Sequence, residues 1–485
     1  MRETVKSLGR NSLVYGLGSI VQRLLMVLLL PVYTRYLAPD DYGILAILNA
    51  TGSFVRPLAW LGMGQALLWA VSYREADEKV CFSSGLCFLA VQGTLLAGLL
   101  VALAGPLTSL IFGDAAHAGL LRLVALTILC EGFEVLLVSY ARIHERASLF
   151  ARVMVARFVV LAAASVLFLV VFKRGLPGLM EAALLTSALF AALSLWLVRR
   201  VVALRVDWPV LRQMLRFSLP LAPAQALSMV LVYADRYFIQ RYRGESEVGL
   251  YALGYSLAMV LNLVVQAVHL AWVPQMYRIS KAENAGVQFR RLLNYYTMAL
   301  AAGGLMLSVF SPEVLRLLAT PAYREAGSVV PLIAASHVLI GLGLMANVGI
   351  NTENKTFLTT VLVAVTAPVN LGLNALLIPR WGMMGAAVAT FLSYLLQTAL
   401  LIAINQRLRP IPYDYLRMTG AIGLAAILFL AAQALSMHCT GLPLVGLKLL
   451  LAACYPAGLW WLRIVPASDR EALRRGRLLS PPSAC

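Results

Sequence analysis

Apolar stretches separated by short polar segments run through the whole chain. A helix needs about 20 mostly apolar residues to cross the hydrocarbon core of a membrane, and the pattern predicts about 14 such helices. No connection between them exceeds about 20 residues, which leaves no room for a soluble domain. We therefore predict an all-α polytopic membrane protein. The predicted spans are 11–33, 43–68, 81–103, 118–139, 153–172, 179–198, 217–239, 249–272, 292–311, 329–350, 356–378, 383–405, 419–437 and 444–462.

The chain also contains an internal repeat. Shifting the sequence by 206 residues places Arg35 on Arg241 and Gly43 on Gly249, at matching places in two helix–loop–helix units. The offset covers six predicted spans, an even number, so both copies enter the membrane in the same direction and form a parallel repeat. We predict two six-helix lobes in a parallel repeat plus a terminal helix pair. The segments are an N-terminal lobe at 1–205, a C-terminal lobe at 206–410, the helix pair at 411–462 and a basic cytoplasmic tail at 463–485.

Composition and charge agree with a membrane protein. The chain is 61% hydrophobic and 13% charged, whereas a soluble protein carries about 25% charged residues. The net charge is +18, but about 26 of the Lys and Arg residues fall in one set of alternating loops and only about 8 in the other. This bias sets topology, so we expect both termini in the cytoplasm and no binding to nucleic acid. We also expect no cofactor or ATP hydrolysis, since the sequence has no metal-type cysteine spacing and no P-loop.

Two arginines lie near the middle of the first two predicted spans, Arg23 and Arg56. A cation at mid-depth in a bilayer costs about 2.5–3.5 kcal/mol on insertion scales. We therefore expect both side chains to face protein, water or an anion. The sequence predicts a polar cavity that receives something negative.

Polar residues recur at helical spacing on several apolar spans, which lipid-facing helices have no reason to carry. Such stripes either line a hydrated cavity or join helices to each other by hydrogen bonds. Taken together they favour the cavity, with asparagine, glutamine and tryptophan suited to sugar hydroxyls and ring faces. The predicted substrate-binding residues are Arg23, Arg56, Asn49, Ser19, Trp60, Asn262 and Gln266.

Acidic residues within the spans suggest a coupling ion. Glu131 and Glu134 share one face of span 4, and two interpretations remain open: they pair with Arg157 in a structural role, or they take up protons. Asp235 lies in span 7. The predicted ion-coupling residues are Glu131, Glu134 and Asp235. Three cations near span ends are expected to extend toward the membrane surface: Arg157, Arg236 and Lys448.

Two segments resemble a known family. NSLVYGLGSIVQRLLMVLLLPVYTRYLAPDDYGILAI near the start and ADRYFIQRYRGESEVGLYALGYSL in the second half are similar to bacterial polysaccharide-export flippases, as is the polar NTENKT at 351–356. These belong to the multidrug/oligosaccharidyl-lipid/polysaccharide (MOP) transporter superfamily. The resemblance implies a 14-span fold and no enzymatic activity. Relatives that flip the peptidoglycan precursor lipid II carry arginines in the first two spans, and Arg23 and Arg56 match them by position.

The function implied by the resemblance is transfer of an undecaprenyl-pyrophosphate-linked oligosaccharide from the cytoplasmic to the periplasmic leaflet of the bacterial inner membrane. The product would enter assembly of O-antigen, capsule or exopolysaccharide, with a polysaccharide polymerase and chain-length machinery as expected partners. Guanidinium groups suit the pyrophosphate because they bind phosphate through two parallel hydrogen bonds. Two alternatives share the fold: a lipid II flippase, and a cation-coupled drug exporter, in which acidic residues would dominate the cavity. A membrane enzyme acting on lipid-linked sugars would need a large outer loop, which the predicted topology lacks.

Arg23→Ala and Arg56→Ala are each expected to reduce surface polysaccharide at least tenfold in a flippase-null strain. Each variant removes a charge-assisted contact of about 1.5–3 kcal/mol. The measurement is an immunoblot of surface polysaccharide at matched protein levels, with the wild-type chain as the control. Normal export by both variants would show that these arginines do not line the transport site.

Overall fold

The computed structural model describes residues 29–203, 205–438 and 441–465. All regular secondary structure in these ranges is helical, and ten helices are long and apolar enough to cross a membrane. The prediction of an all-α polytopic membrane protein is confirmed. Most of the first predicted span, 11–33, lies outside the described residues.

The α-helices of these ranges are numbered here in chain order. They are α1 (Pro39–Trp60), α2 (Met63–Ser72), α3 (Glu78–Ala102), α4 (Ala104–Phe112), α5 (Ala118–Ile143), α6 (Ala147–Val166), α7 (Gly175–Val198), α8 (Trp208–Ser218), α9 (Leu221–Arg243), α10 (Glu245–Ile279), α11 (Ala285–Leu318), α12 (Val330–Ala346), α13 (Val348–Thr352), α14 (Phe357–Leu408), α15 (Tyr415–His438) and α16 (Leu442–Trp461). A π-helical turn, Leu167–Val171, extends α6, and a 3-10 helix, Pro321–Ser328, follows α11.

The chain folds into two compact units. The first unit contains the described residues up to Ser256, together with Leu318–Ala326 and Val363–Ser393. The second contains Leu257–Leu317, Gly327–Leu362 and the described residues from Tyr394 onward.

Helix α5 lies at the centre of the first unit. It packs against α1, α2, α3 and α7. One apolar cluster of this unit includes Met63, Phe82, Leu136 and Met214, all fully buried. Any ionisable side chain on the inward face of α5 is therefore surrounded by protein rather than by lipid.

Two glycines of the repeat touch each other in the first unit. A β-carbon on Gly43 would lie 1.9 Å from the carbonyl oxygen of Glu245, and one on Gly249 would lie 2.0 Å from the carbonyl oxygen of Pro39. Both contacts join the start of α1 to the start of α10. Because Gly249 and Glu245 are the repeat equivalents of Gly43 and Pro39, the crossing is two-fold symmetric, as a parallel repeat predicts. Only glycine allows two helix backbones to approach this closely.

A second pair of glycines repeats in the hairpins that end each predicted lobe. Gly175 is the first residue of α7 and has φ +58°, and Gly382 interrupts α14 with φ +55°. Each is followed three residues later by another glycine, Gly178 or Gly385. The break at Gly382 divides α14 into two helices, which agrees with the predicted hairpin between spans 356–378 and 383–405.

The second predicted span, 43–68, is not one continuous helix. Helix α1 ends at Trp60 and α2 begins at Met63, because Leu61 and Gly62 both adopt left-handed backbone angles, with φ of 41° and 68°. The predicted span still lies within one candidate membrane span, Pro39–Ser72. Its apolar sequence continues across a break in the helix that glycine permits.

The second unit joins the terminal helix pair to α11. Tyr455 of α16 is buried, and its hydroxyl lies 3.2 Å from the carbonyl oxygen of Met298 on α11 and 3.3 Å from that of Ala421 on α15. The opposite faces of α15 and α16 expose apolar side chains such as Leu430 and Leu450, at 64% and 65%. Exposed apolar faces on membrane-spanning helices are the surfaces that contact lipid.

Gly43→Ala and Gly249→Ala are each expected to lower the free energy of unfolding by about 1–3 kcal/mol, because the added β-carbon overpacks the crossing. Thermal unfolding of the purified protein in detergent measures the effect. The matched control is Gly98→Ala on α3, where a β-carbon meets nothing within 4 Å; this change should be neutral or stabilise by up to about 1 kcal/mol. Equal stability of all three variants would contradict the close crossing.

Candidate functional site

An arginine on α1 pairs with a glutamate on α5 inside the first unit. Nε of Arg56 donates to Oε2 of Glu131 at 2.7 Å, and Nη2 of Arg56 lies 3.5 Å from Oε1. The side chains are 27% and 15% exposed, so both charges are partly withdrawn from solvent. The ion pair compensates the cation that the sequence places at mid-span.

A second arginine, on α6, continues the chain of charges. Nη2 of Arg157 donates to Oε1 of Glu131 at 3.2 Å and to the hydroxyl of Ser187 at 3.2 Å. Nε of Arg157 lies 2.8 Å from Oε2 of Glu134 in a further ion pair. Of the two interpretations left open for these glutamates, the pairing with Arg157 is present in the structure. We call the four residues Arg56, Glu131, Arg157 and Glu134 the arginine–glutamate chain.

Local sequence explains how these four side chains meet. Glu131 and Glu134 are three residues apart on α5, so both point to one helix face. Gly52 lies one turn before Arg56, and a β-carbon there would approach Nη1 of Arg56 to 3.0 Å. The absence of a side chain at Gly52 therefore leaves room for the guanidinium to lie along α1.

The arginine–glutamate chain borders a cavity of about 420 Å³. The break between α1 and α2 forms one wall, through Trp60, Gly62 and Gln65. Arg142 and Gln225 supply further polar groups on the lining. The cavity thus combines charged, amide and aromatic groups within membrane-spanning helices.

Three arginines and two glutamates contribute to this region, so its charges are nearly balanced. Glu131 bridges the guanidiniums of Arg56 and Arg157 with a single carboxylate. Oε1 of Glu134 is buried and has no hydrogen-bond partner among the described residues. A buried unpaired carboxylate oxygen is costly, which makes this atom the natural place for a proton, a cation or a donor from a ligand.

The predicted substrate-binding residues are distributed over both units. Trp60 lines the cavity. Arg56 does not line it, but pairs with the lining residue Glu131. Asn49 lies two turns earlier on α1 and is exposed. Asn262 and Gln266 are half-buried on the part of α10 that belongs to the second unit. Ser19 and Arg23 lie outside the described residues.

The third predicted ion-coupling residue, Asp235, lies in a different environment. Its Oδ1 pairs with Nη1 of Arg236 at 3.0 Å, and its Oδ2 accepts a short hydrogen bond from the Tyr251 hydroxyl. The guanidinium of Arg236 also stacks on Tyr233 and Tyr255, each with its ring centroid 4.9 Å away. Asp235 is only 3% exposed, so this carboxylate is enclosed by its protein partners.

The expectation that Arg157, Arg236 and Lys448 reach the membrane surface is wrong. Arg236 and Lys448 are 5% and 4% exposed, and Lys448 pairs with Glu313 at 2.7 Å. Each cation has an acidic partner. The sequence offered the partners of Arg157 as one interpretation, but it did not reveal those of Arg236 and Lys448. Arg142 and Gln65 are lining residues that the sequence analysis also missed, because each lies near a helix end and belongs to no polar stripe.

Comparison with known proteins places these features in a family. Residues 32–328 match the family described as polysaccharide biosynthesis protein. The chain is 24% identical over 286 residues to protein 1 of the Lsg locus of Haemophilus influenzae, covering 58% of this chain and 68% of that one. It is 27% identical over 162 residues to the probable low-salt glycan biosynthesis flippase Agl15 of Haloferax volcanii, covering 32% and 34%.

The fold also matches a solved transporter structure. The structure of the lipid II flippase MurJ in an inward closed conformation superimposes with a TM-score of 0.71 at 12% identity. The match covers 93% of this chain and 99% of that one. At this identity the likeness concerns the fold.

Arg157→Met is expected to destabilise the protein by about 3–5 kcal/mol, because it leaves two partly buried carboxylates without their shared partner. Adding Glu134→Gln to this variant should restore part of the loss, since the carboxylate that paired only with Arg157 is removed while Glu131 keeps Arg56 as its partner. The comparison is made by thermal unfolding in detergent. Arg174→Gln is the matched control, because Arg174 is 53% exposed in its pair with Glu181. If Arg157→Met lost no more stability than Arg174→Gln, the arginine–glutamate chain would contribute little to the free energy of unfolding.

Proposed function

Because the chain belongs to the polysaccharide biosynthesis protein family, we propose that it moves an undecaprenyl-pyrophosphate-linked oligosaccharide from the cytoplasmic to the outer leaflet. The protein is a multi-pass membrane protein with the fold of MOP superfamily transporters and flippases. It is a transporter rather than an enzyme, like the relatives whose names state a function. The proposed location is the bacterial inner membrane, with both termini in the cytoplasm. The product would supply assembly of O-antigen, capsule or exopolysaccharide.

The observation that carries the proposal is the bridge formed by Glu131. The Glu131 carboxylate lies at the wall of a cavity that Arg157 also lines, and it pairs with the guanidiniums of both Arg56 and Arg157. A phosphate group has the same charge sign and can accept the same paired hydrogen bonds. We propose that the pyrophosphate takes the place of this carboxylate during transport, and that Arg23 adds a further cation.

The remaining lining groups suit the sugar. Trp60 offers an aromatic face, while Gln65 and Gln225 offer amide donors and acceptors. We propose that these residues contact the first sugars, together with the predicted Asn49, Ser19, Asn262 and Gln266. The polyprenyl tail stays in lipid while the head group crosses. Under this proposal the N-terminal lobe, 1–205, supplies the pyrophosphate contacts, and a polymerase and chain-length machinery receive the product.

The membrane potential can drive the transfer. Outward movement of a negative head group gains about 2.3 kcal/mol per charge per 100 mV when the inside is negative. We propose that a returning cation neutralises Glu131 or Glu134 in the cycle, because Oε1 of Glu134 is buried with no hydrogen-bond partner among the described residues. Asp235 remains a second proposed coupling residue, and its enclosure by Arg236 and Tyr251 makes it the less accessible of the three.

Two other substrates fit the same fold. A lipid II flippase would use the same pyrophosphate contacts, and the likeness to MurJ keeps that substrate as the main alternative. A cation-coupled drug exporter is less favoured, because Arg142 and Arg157 line the cavity beside Glu131 and Glu134, so acidic residues do not dominate it. Complementation separates the proposed function from the lipid II alternative. A polysaccharide flippase restores surface polysaccharide to a strain that lacks its own, whereas a lipid II flippase restores growth to a strain that lacks lipid II transfer.

The proposal is tested with the purified chain in proteoliposomes containing a fluorescent polyprenyl-pyrophosphate oligosaccharide. We expect transfer between leaflets to rise about tenfold when a valinomycin-set potential of about 60 mV favours outward movement of one charge, which is worth about 1.4 kcal/mol. Glu134→Gln should reduce the response to a pH gradient while the head group still binds. The control is a polyprenol-linked sugar without pyrophosphate, which should not respond. Transfer insensitive to both potential and pH gradient would refute the coupling, and absence of transfer would refute the substrate.

A further inference from the structure

A polar cavity of about 190 Å³ lies among α11, α15 and α16 in the second unit. Its lining includes a buried lysine, a glutamate and an arginine as well as apolar side chains. The proposed transport of an oligosaccharide makes no use of this cavity. The residues that matter for its chemistry are Glu313, Arg316, Phe429, Gln433, Ser436 and Lys448.

Lys448 is enclosed in the protein at this cavity. It is 4% exposed, and its ammonium donates to the carbonyl oxygen of Val309 at 2.9 Å and to Oε1 of Glu313 at 2.7 Å. A buried ion pair is held in place only when its hydrogen-bonding capacity is well satisfied. Here that capacity is not filled on either side.

The pair presents one open donor beside one open acceptor. Oε2 of Glu313 is buried with no hydrogen-bond partner among the described residues. An ammonium has three donors, and two of those on Lys448 are used within the described part of the chain. The cavity therefore offers a negative oxygen and an N–H group next to each other. A ligand that fits must carry a donor and an acceptor at similar spacing.

The other polar groups of the lining favour a phosphate as the acceptor. Arg316 is exposed near the end of α11 and adds a second cation to that of Lys448. Gln433 and Ser436 contribute an amide and a hydroxyl from α15. Arg316 and Lys448 can bind an anionic phosphate, and Glu313 can accept a hydrogen bond. A suitable ligand therefore carries both a phosphate and a hydrogen-bond donor.

The position of the cavity favours a lipid as the source of that group. Glu313 lies five residues before the end of α11, and Ser436 lies two residues before the end of α15. These are the depths at which the ends of membrane-spanning helices meet lipid head groups. The outer faces of α15 and α16 expose Ile427, Leu430 and Leu450, so acyl chains can lie beside the cavity.

We propose that this cavity binds the head group of a membrane phospholipid, a phosphodiester that carries a terminal hydrogen-bond donor. The phosphate lies between Arg316 and Lys448, and the donor reaches Oε2 of Glu313. An ethanolamine ammonium and a glycerol hydroxyl both supply this chemistry, whereas a choline group has no N–H or O–H donor. Under the predicted orientation the lipid comes from the outer leaflet. The bound lipid fastens the terminal helix pair to α11.

The test uses the purified full chain in detergent, depleted of lipid and then supplied with one phospholipid at a time. Phosphatidylethanolamine, phosphatidylglycerol and phosphatidylcholine with identical acyl chains are compared by thermal unfolding. We expect at least one of the first two to raise the unfolding temperature by about 3 °C or more beyond phosphatidylcholine, as expected for a ligand that binds only the folded state. A larger effect of phosphatidylethanolamine identifies the ammonium as the donor, and a larger effect of phosphatidylglycerol identifies the hydroxyl.

Two variants separate the contacts. Glu313→Gln should abolish the preference over phosphatidylcholine, because the strong acceptor is lost while Lys448 keeps an oxygen to bond. Arg316→Gln should weaken the response to all three lipids and, as an exposed residue, leaves the fold intact. Arg407→Gln is the control, since Arg407 is exposed on α14 and does not line the cavity. The proposal would be overturned if the three lipids raised the unfolding temperature of the wild-type protein equally. It would also be overturned if lipids stabilised Arg316→Gln as much as they stabilise Arg407→Gln.

Discussion

Charge that is withdrawn from water has to be paired, and this constraint organises the interior of the protein. An isolated ion inside a membrane-spanning bundle costs several kcal/mol, about the size of a whole domain's net stability. Arg56 meets Glu131, Arg236 meets Asp235, and Lys448 meets Glu313. Each pair joins side chains that would be destabilising alone. The pairs Arg56–Glu131 and Lys448–Glu313 also join different helices, whereas Arg236 and Asp235 are neighbours on α9. Apolar packing supplies most of the remaining contact between helices.

The second determinant of how the helices pack is the close approach of two helix backbones at glycine residues. These glycines occupy equivalent positions in the repeat. The reciprocal contacts of Gly43 and Gly249 bring α1 and α10 together with no side chain between them. Two copies of one helix–loop–helix unit that cross at equivalent positions generate a local two-fold axis. The left-handed glycines Gly175 and Gly382 recur at the later hairpins, one residue away from the 206-residue offset. The symmetry is thus carried by small residues at crossings and turns, whereas the ionisable residues differ between the two halves.

The helical membrane fold and the repeat could be predicted from the sequence, because they depend on local composition and on a fixed offset. The expectation that Arg56 faces protein, water or an anion agrees with its ion pair with Glu131. The pairing of Arg157 with Glu131 and Glu134 was one of two open interpretations, and neighbouring spans made it geometrically simple. The partners of Lys448 and Arg56 could not be predicted. Glu313 is 135 residues from Lys448, and Glu131 is 75 residues from Arg56. The distance of a cation from its helix end indicates its exposure to water only where no other helix covers the side chain. Here α11 covers Lys448.

A neutralised site is better suited to transport of an anion than a bare cationic one. Unpaired guanidiniums in a membrane-spanning cavity would bind phosphate tightly and would also destabilise the empty protein. With Glu131 between Arg56 and Arg157, the empty state is already satisfied, and a pyrophosphate exchanges one set of charge-assisted hydrogen bonds for another. The net affinity is then a difference between two similar terms, so release on the far side does not have to overcome the full strength of an arginine–phosphate contact. Under the proposed function, a cation arriving at Glu131 or Glu134 shifts this difference in favour of the substrate, and its departure shifts it back. In this proposal, the carboxylates that pair with the arginines in the fold also set the direction of exchange.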